Sequence, residues 1–515
     1  MDTNRESSFT ENVKRQDVYT ESATEYILPD YNTDVRKILF TDARISEVSR
    51  FEGEEKVEFS GIVIYDVIYS DSDNQIASTS FTSDYDFSVG YESDREKIVS
   101  DTRVANFAIR LVGPRKFSVK ASLLSSVSAI TERSVGASYT ADGGERLVTE
   151  KKQLNIRTAG LSEKLEREYA ESLGHLDGAS ADEIRVIYNS AEAFTEEIRA
   201  LEDAVEIKGY IKSMVVIENG EQPAYLIEKN IPFEERLSFE GVSSDMEFTP
   251  RISVISDKVN VNADEYGVEP VVSLIVEMSV MGEKNESVSL VSDAFFTDRE
   301  SENSYTELCY SEMLRRFTLS EEQSVELTRE NTDMTQPREV IFVSATPKIE
   351  SCRVEDDRLL LFVDVKYNGI ISEVNDDGSI GYYPIKSSAS FEKNVNLDCQ
   401  NCGKIVPEVQ IKPKMTEAQI DSGKIILTTV LDVSVCAIAH KSERILSDIS
   451  PRDEAVLERC SSVVSVYYPE PDESLFSIAK RFRTTPEKLA DDNAIATSVA
   501  SGGAEMTLPK RILIY

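Results

Sequence analysis

Cys399-Gln-Asn-Cys402 is followed downstream by Cys436-Ala-Ile-Ala-His440, and two thiols at knuckle spacing with a further thiol and an imidazole are the ligand types of a tetrahedral zinc site. Cys399, Cys402, Cys436 and His440 are therefore the candidate metal ligands, and strand alternation would set Cys436 and His440 on one face. The gap between the two halves exceeds ordinary finger spacing, and the corresponding stretches upstream carry no such ligands. Two free thiols in a turn is the competing reading, and no metal or cofactor is assigned. Nucleophilic or acid–base catalysis asks for histidine or a perturbed carboxylate set, yet the two histidines, His175 and His440, stand far apart in the chain. No phosphate-cradling G-x-x-x-x-G-K-[ST] loop occurs, so the sequence points away from an enzyme.

Composition narrows the partners. The formal charge is -37, from 56 basic and 93 acidic residues, which opposes nucleic acid and anionic membrane surfaces by repulsion. The start, MDTNRESSFTENVKRQDVYT, has no apolar core of the secretory kind, and no run approaches a membrane span. Residence in the cytosol, without membrane insertion, is the expectation. Six cysteines in 515 residues suit reduced thiols better than a disulfide framework.

The elements that must position any site are β-rich and self-similar. ARISEVSRFEGEEKVEFSGIVIYDVIYS, EAFTEEIRALEDAVEIKGYIKSMVVIENGEQPAYLIEKN and PKIESCRVEDDRLLLFVDVKYNGIISEVNDDGSIGYYPIKS fall into register, each a strand, a turn, a long strand and a polar turn, with a return strand ending near Phe81, Phe233 or Phe391. Alternation in Val57, Phe59, Gly61, Val63 and Tyr65, and in Val205, Ile207, Gly209 and Ile211, has the period of a half-buried strand. Register also makes Glu192 to Leu201 a strand although its composition suits a helix. Asn219-Gly220 and Asp377-Gly378 read as hairpin turns. A strand pair follows each copy, the first punctuated by Gly113-Pro114-Arg115.

The tail, residues 463–515, changes period. Leu475, Ile478, Ala479 and Phe482 share one helical stripe, with Asp472 to Ser474 supplying caps. Thr485-Pro486-Glu487 starts a second helix, whose Leu489 joins the same core. Apolar runs at Val464 to Tyr468 and Arg511 to Ile514 make the order strand, helix, helix, strand. The fold class is thus mainly β, three tandem β-rich repeats followed by a small α+β unit. Its expected divisions are a polar segment 1–25, repeats at 26–150, 151–285 and 336–447, a connecting segment 286–335, a linker 448–462 and the terminal unit 463–515. Each repeat is expected to fold as a separate unit.

Two resemblances rest on these residues. Leu475, Ile478, Ala479, Phe482, Leu489, Asn493, Ile512 and Ile514 match the LysM pattern, so the tail resembles a LysM module with Leu475, Ile478, Ala479, Phe482, Leu489 and Ile512 as core. Asp472, and Pro509 or Lys510, stand where loop glycines of sugar-binding members let a ligand approach, and a side chain closes that route. Protein binding is therefore the expected use, through a rim of Asp472, Glu473, Phe476, Lys510 and Arg511, and binding of peptidoglycan or an N-acetylglucosamine polymer is the alternative. Tyr26-Ile-Leu-Pro-Asp-Tyr-Asn-Thr-Asp, the GIVIYDVIY strand, the GPRK turn and IPFEERLSFEG resemble the SPOCS domain of clostridial spore-coat morphogenetic proteins. SPOCS repeats followed by LysM is the layout of SipL-like proteins. That resemblance implies a scaffold in the mother-cell cytoplasm, at the forespore surface, that binds the coat basement protein SpoIVA and other spore coat proteins.

Overall fold

Along Lys56–Asp71 the residues Val57, Phe59, Val63, Tyr65, Val67 and Tyr69 are buried at every second position, which gives the strand one face for a core and one for a neighbouring layer. The computed structural model describes residues 5–92, 96–139, 147–177, 180–220, 223–263, 267–327, 337–355, 357–375, 378–397, 404–422, 424–456, 464–470, 473–495 and 508–515. In the first unit β1 (Arg5–Ile27) is followed by the meander β2 (Val35–Glu52), β3 (Lys56–Asp71) and β4 (Ile76–Gly90), then by the hairpin β5 (Glu96–Gly113) and β6 (Lys116–Tyr139). β6 lies between β1 and β5 in a second sheet, whose Phe117, Val119, Ala121 and Leu123 pack on the buried face of β3.

The same order recurs in residues 147–296. β7 (Leu147–Leu161), β8 (Leu165–Ser172) and β9 (Leu176–Asp177) share one edge of a later strand. The meander β10 (Ile184–Leu201), β11 (Ala204–Asn219), β12 (Tyr225–Ser238) and the hairpin β13 (Glu247–Ala263), β14 (Gly267–Phe296) follow. It recurs again in 299–456 as β15 (Arg299–Leu327), β16 (Pro337–Glu355), β17 (Arg358–Val374), β18 (Ile380–Asn396), β19 (Lys404–Asp421) and β20 (Lys424–Val456). β21 (Ser465–Tyr467), α1 (Leu475–Phe482), α2 (Pro486–Asp492) and β22 (Ile512–Ile514) complete the chain.

Three expected boundaries change. Residues 1–25 were expected outside the repeats, yet Arg5–Ile27 is paired along its length with β6; its Ser, Thr and Glu residues are polar because little more than one face, with Phe9 and Ser22, is buried. The expected connector 286–335 holds the end of β14 and all of β15, which pairs with β20. The expected linker 448–462 is strand as far as Val456. Asp377 lies outside the described residues.

The sandwiches are also joined rather than separate. The first strand of each meander carries a bulge, between Ile38 and Phe40, Val186 and Tyr188, and Val340 and Phe342. An extra residue at that point bends a strand and re-aims its side chains. Leu39, Ile187 and Ile341 are turned inward there, and the next residues form an aromatic triad: ring centroids lie 5.2 Å apart for Phe40 and Tyr188, 4.8 Å for Phe40 and Phe342, and 5.4 Å for Tyr188 and Phe342. Their cross-strand neighbours Ile68, Val216 and Ile370 are fully buried in the same hub. A second shared core joins Phe9 of β1, Leu154 and Ile156 of β7, Val288 and Leu290 of β14, Leu308 and Tyr310 of β15 and Ile445 of β20. We call this bundle of long strands the trunk.

Beside the hub, Arg44 of β2 reaches across the junction of the first two units. It pairs with Asp66 of β3 and lies 3.2 Å from Asp257 of β13, while Tyr188 donates to Asp42 at 3.0 Å. A cavity of about 140 Å³ opens here between Asp66, Ser78, Ser80, Tyr188 and Asn189. Burial pushes the Asp257 carboxyl up to about 6, against the pull of Arg44.

Phe342→Ala should remove a ring shared by all three units and cost about 3–5 kcal/mol, read as a lower denaturant midpoint with a single transition. Two separated transitions would show that the units unfold independently. For Asp257 the folded chain holds a proton between pH 3.8 and about 6 that the unfolded chain has released. Stability should therefore fall as pH rises through that window, by about 3 kcal/mol at most, and level off above it. Asp257→Asn should flatten this slope in chemical unfolding on either side of the window.

Candidate functional site

The terminal unit begins where Ser474 caps α1, its hydroxyl accepting from Ser477 N at 3.1 Å. Arg483 closes the helix in the left-handed region at φ 54°. Thr485 caps α2 by accepting from Lys488 N at 3.2 Å, with Pro486 in the first turn, where a missing N–H leaves no helical bond unmade. Leu475, Ile478, Ala479, Leu489, Ile512 and Ile514 are buried together, and Phe482 packs half-buried against them, its ring 5.2 Å from Tyr467. Asn493 ties the unit shut: its amide donates to Leu513 O at 2.7 Å and accepts from Leu513 N at 2.6 Å.

The structure redistributes the expected rim. Phe476 is not accessible: it is 8% exposed and packs edge-on against Phe295 of β14, with centroids 5.3 Å apart. Phe476, Lys480 and Arg483 recur at i, i+4 and i+7, so α1 has a second working face, one that meets the trunk. Lys480 pairs there with Asp293, and Arg483 donates to the carbonyls of Phe296 and Arg299 at 3.2 and 3.3 Å. Burial, and then Asp293, raise the nearby Glu150 carboxyl above its ordinary range. Glu473 is spent inside the unit, accepting from the Tyr467 hydroxyl at 3.0 and 2.8 Å and pairing with Arg481 at 3.5 Å. That bond to Glu473 raises the Tyr467 phenol. Lys510 and Arg511 are exposed, and among the described residues neither has an ion-pair partner. Asp472 lies outside the described residues.

The zinc candidates are not brought together in what is described. Cys399 and Cys402 fall outside the described residues. Cys436 is buried in β20, where Arg316 approaches its sulfur at 3.7 Å and burial raises the thiol. His440 is exposed, with Nδ1 at 3.2 Å from Ser311 Oγ. Among the described residues no group of three or more His, Cys, Asp and Glu side chains is placed to hold a metal.

A charged cluster that the sequence did not reveal surrounds Cys436. Arg157 of β7 makes a two-pronged contact with Glu408 of β19 at 3.2 and 2.9 Å and lies 2.7 Å from Glu283 of β14. That last approach is an ion pair outside hydrogen-bond angles. Arg316 of β15 holds the other Glu283 oxygen and donates to Thr249 at 2.6 Å. Burial by itself would lower the Arg157 pKa, but Glu283 and then Glu408 outweigh it and raise it, so the guanidinium stays charged. This arrangement joins the second and third units; nothing in the linear sequence relates residues 157, 283, 316 and 408.

Substituting Phe476→Ala should loosen the terminal unit from the trunk while leaving its own core intact. The expected sign is faster hydrogen exchange at Phe295 and along α1, with exchange at Ile512 to Ile514 unchanged.

Among the described residues no helix is long and apolar enough to cross a membrane. A search of curated proteins and a search of solved structures each returned no match. Residues 184–264 match the family model described as SipL, SPOCS domain, and the matched stretch is β10 to β13, the meander of the second unit and the first strand of its hairpin. The chain thus carries a SPOCS domain of the SipL type within its second sandwich, which supports a SipL-like, sporulation-related protein.

Proposed function

We propose that the chain is a non-enzymatic scaffold of the spore coat, acting in the mother-cell cytoplasm at the forespore surface. It links the coat basement protein SpoIVA to other coat proteins, and its terminal LysM-like unit serves as a protein-binding element. The observation that carries this reading is the SPOCS match inside a body whose three sandwiches share a hub and a trunk. Fused units hold several surfaces at fixed separations, and linked weak contacts gain avidity of roughly two to four orders of magnitude when their spacing suits a repeating partner. A terminal unit seated on Phe295 has a fixed direction as well. Side chains at Asp472 and at Pro509 or Lys510 in place of loop glycines favour a protein ligand over a sugar polymer.

Ile478 is fully buried in the terminal core, so Ile478→Asp should cost about 3 kcal/mol or more and unfold that unit alone. In the full-length chain this variant should keep its β-sheet circular dichroism and lose capture of purified SpoIVA, and tagged coat proteins should scatter from the forespore. Undiminished SpoIVA capture would move the binding element to the sandwiches. Sedimentation with insoluble peptidoglycan that Ile478→Asp abolishes, without any SpoIVA capture by the wild type, would replace the scaffold by a wall binder.

A further inference from the structure

β21 and β22 form a sheet of two strands. Tyr467, Ile512 and Ile514 point into the terminal core, so alternation turns Val466 of β21 and Leu513 of β22 to the opposite face, with Val464, Tyr468 and Tyr515 in the same phase just beyond the strand ends. Val464, Val466, Tyr468 and Tyr515 are 53, 51, 69 and 61% exposed, a continuous apolar patch on a strongly charged chain. The helical side of the unit is already taken, by Phe295, Asp293 and the carbonyls of Phe296 and Arg299. The sheet therefore faces away from the trunk.

The backbone distinguishes the two edges of this sheet. Leu513 is opposite Val466, and both its N–H and its C=O are bonded to the Asn493 side chain. A residue whose two polar groups point away from its neighbour belongs to a non-hydrogen-bonded pair, so Val466 directs its own N–H and C=O to the outer side of β21. Among the described residues nothing meets them there. Asn493 closes one edge and leaves the other as a template for a further strand.

Charge selects the occupant. Extending the register by one residue sets Arg511 opposite Tyr468, with Lys510 next to it, and neither cation has an ion-pair partner among the described residues of a chain with 93 acidic side chains. Glu470 stands exposed two residues beyond Tyr468, and Lys510 and Arg511 together outweigh it; acidic surface farther off is damped over about 8 Å at physiological ionic strength. A second copy pairing through the same edge would bring the same two cations, Lys510 and Arg511, rather than carboxylates to the contact. We propose that the outer edge of β21 accepts an extended acidic segment of a partner protein as a third strand, its alternate apolar side chains on Val464, Val466 and Tyr468 and its net negative charge held by the nearby Lys510 and Arg511. This rests on the reading of the terminal unit as a protein-binding element and names the kind of segment that it takes.

The probe is a fluorescein-labelled decapeptide of alternating valine and glutamate, read by anisotropy with the full-length chain and compared with its valine–lysine counterpart. Val466→Pro removes the outward N–H without touching the β21–β22 ladder, and Arg511→Glu reverses the local charge. Wild type should prefer the acidic peptide, each variant should weaken it by about tenfold or more, and Arg511→Glu should improve the basic peptide. Unchanged hydrogen exchange at Ile512 to Ile514 would establish that the variants fold. No binding by the wild type, or equal binding by folded Val466→Pro, overturns the proposal. So does a wild-type dimer in sedimentation that Val466→Pro abolishes, since the occupant would then be a second copy. SpoIVA capture that survives both variants but is lost in Ile478→Asp would overturn this edge as the docking place and leave the scaffold reading standing.

Discussion

Phe40, Tyr188 and Phe342 can meet only if three strands from three different sandwiches bend at the same place, and each does so by admitting one extra residue, Leu39, Ile187 or Ile341. Aromatic pairs contribute roughly 0.5–1.5 kcal/mol each beyond the area they bury, so the triad adds a few kcal/mol to a hub that also removes Ile68, Val216 and Ile370 from water. The hub makes the relative placement of the units a consequence of packing rather than of linkers. Charges then distinguish one junction from another. Arg44 faces Asp257 between the first two units, and Arg157 and Arg316 enclose Glu283 between the second and third. Buried ion pairs repay their desolvation poorly, whereas breaking one is costly.

A body built this way suits a protein that must hold surfaces at set distances. The trunk gathers strands from all three units, and the terminal unit rests on it through a ring contact and an ion pair. α1 serves both sides at once, its Leu475, Ile478 and Ala479 stripe inward and its Phe476, Lys480 and Arg483 stripe outward. Removing the trunk would leave Phe476 uncovered.

The mainly β character was legible because alternation in Val57 to Tyr65 and Val205 to Ile211 is a local signal. So were the two helices, since Ser474, Thr485 and Pro486 are local start signs. Phe476 was misplaced because a helix read for one apolar stripe conceals a second that needs a partner distant in sequence. The hub left a trace that alternation alone passes over: Leu39-Phe40, Ile187-Tyr188 and Ile341-Phe342 are consecutive apolar residues within otherwise alternating strands, the mark of a bulge. Arg157 and Glu283 left none, because in so acidic a chain one more pair of opposite charges is unremarked until the fold brings them together.

The pairing of β1 sets the order in which the polypeptide can mature. Arg5 is paired with Ala137 and Ile27 with Lys116, so the earliest strand of this sandwich is among the last to find its partner; β15 waits in the same way for β20. Contacts so distant in sequence form slowly, and an unpaired strand edge in the meantime invites association with other nascent chains. The Ser, Thr and Glu residues of Arg5–Ile27 keep that waiting strand hydrated. Its polar composition, which makes it look like a tail, is what lets it remain single until the ribosome has delivered its partner.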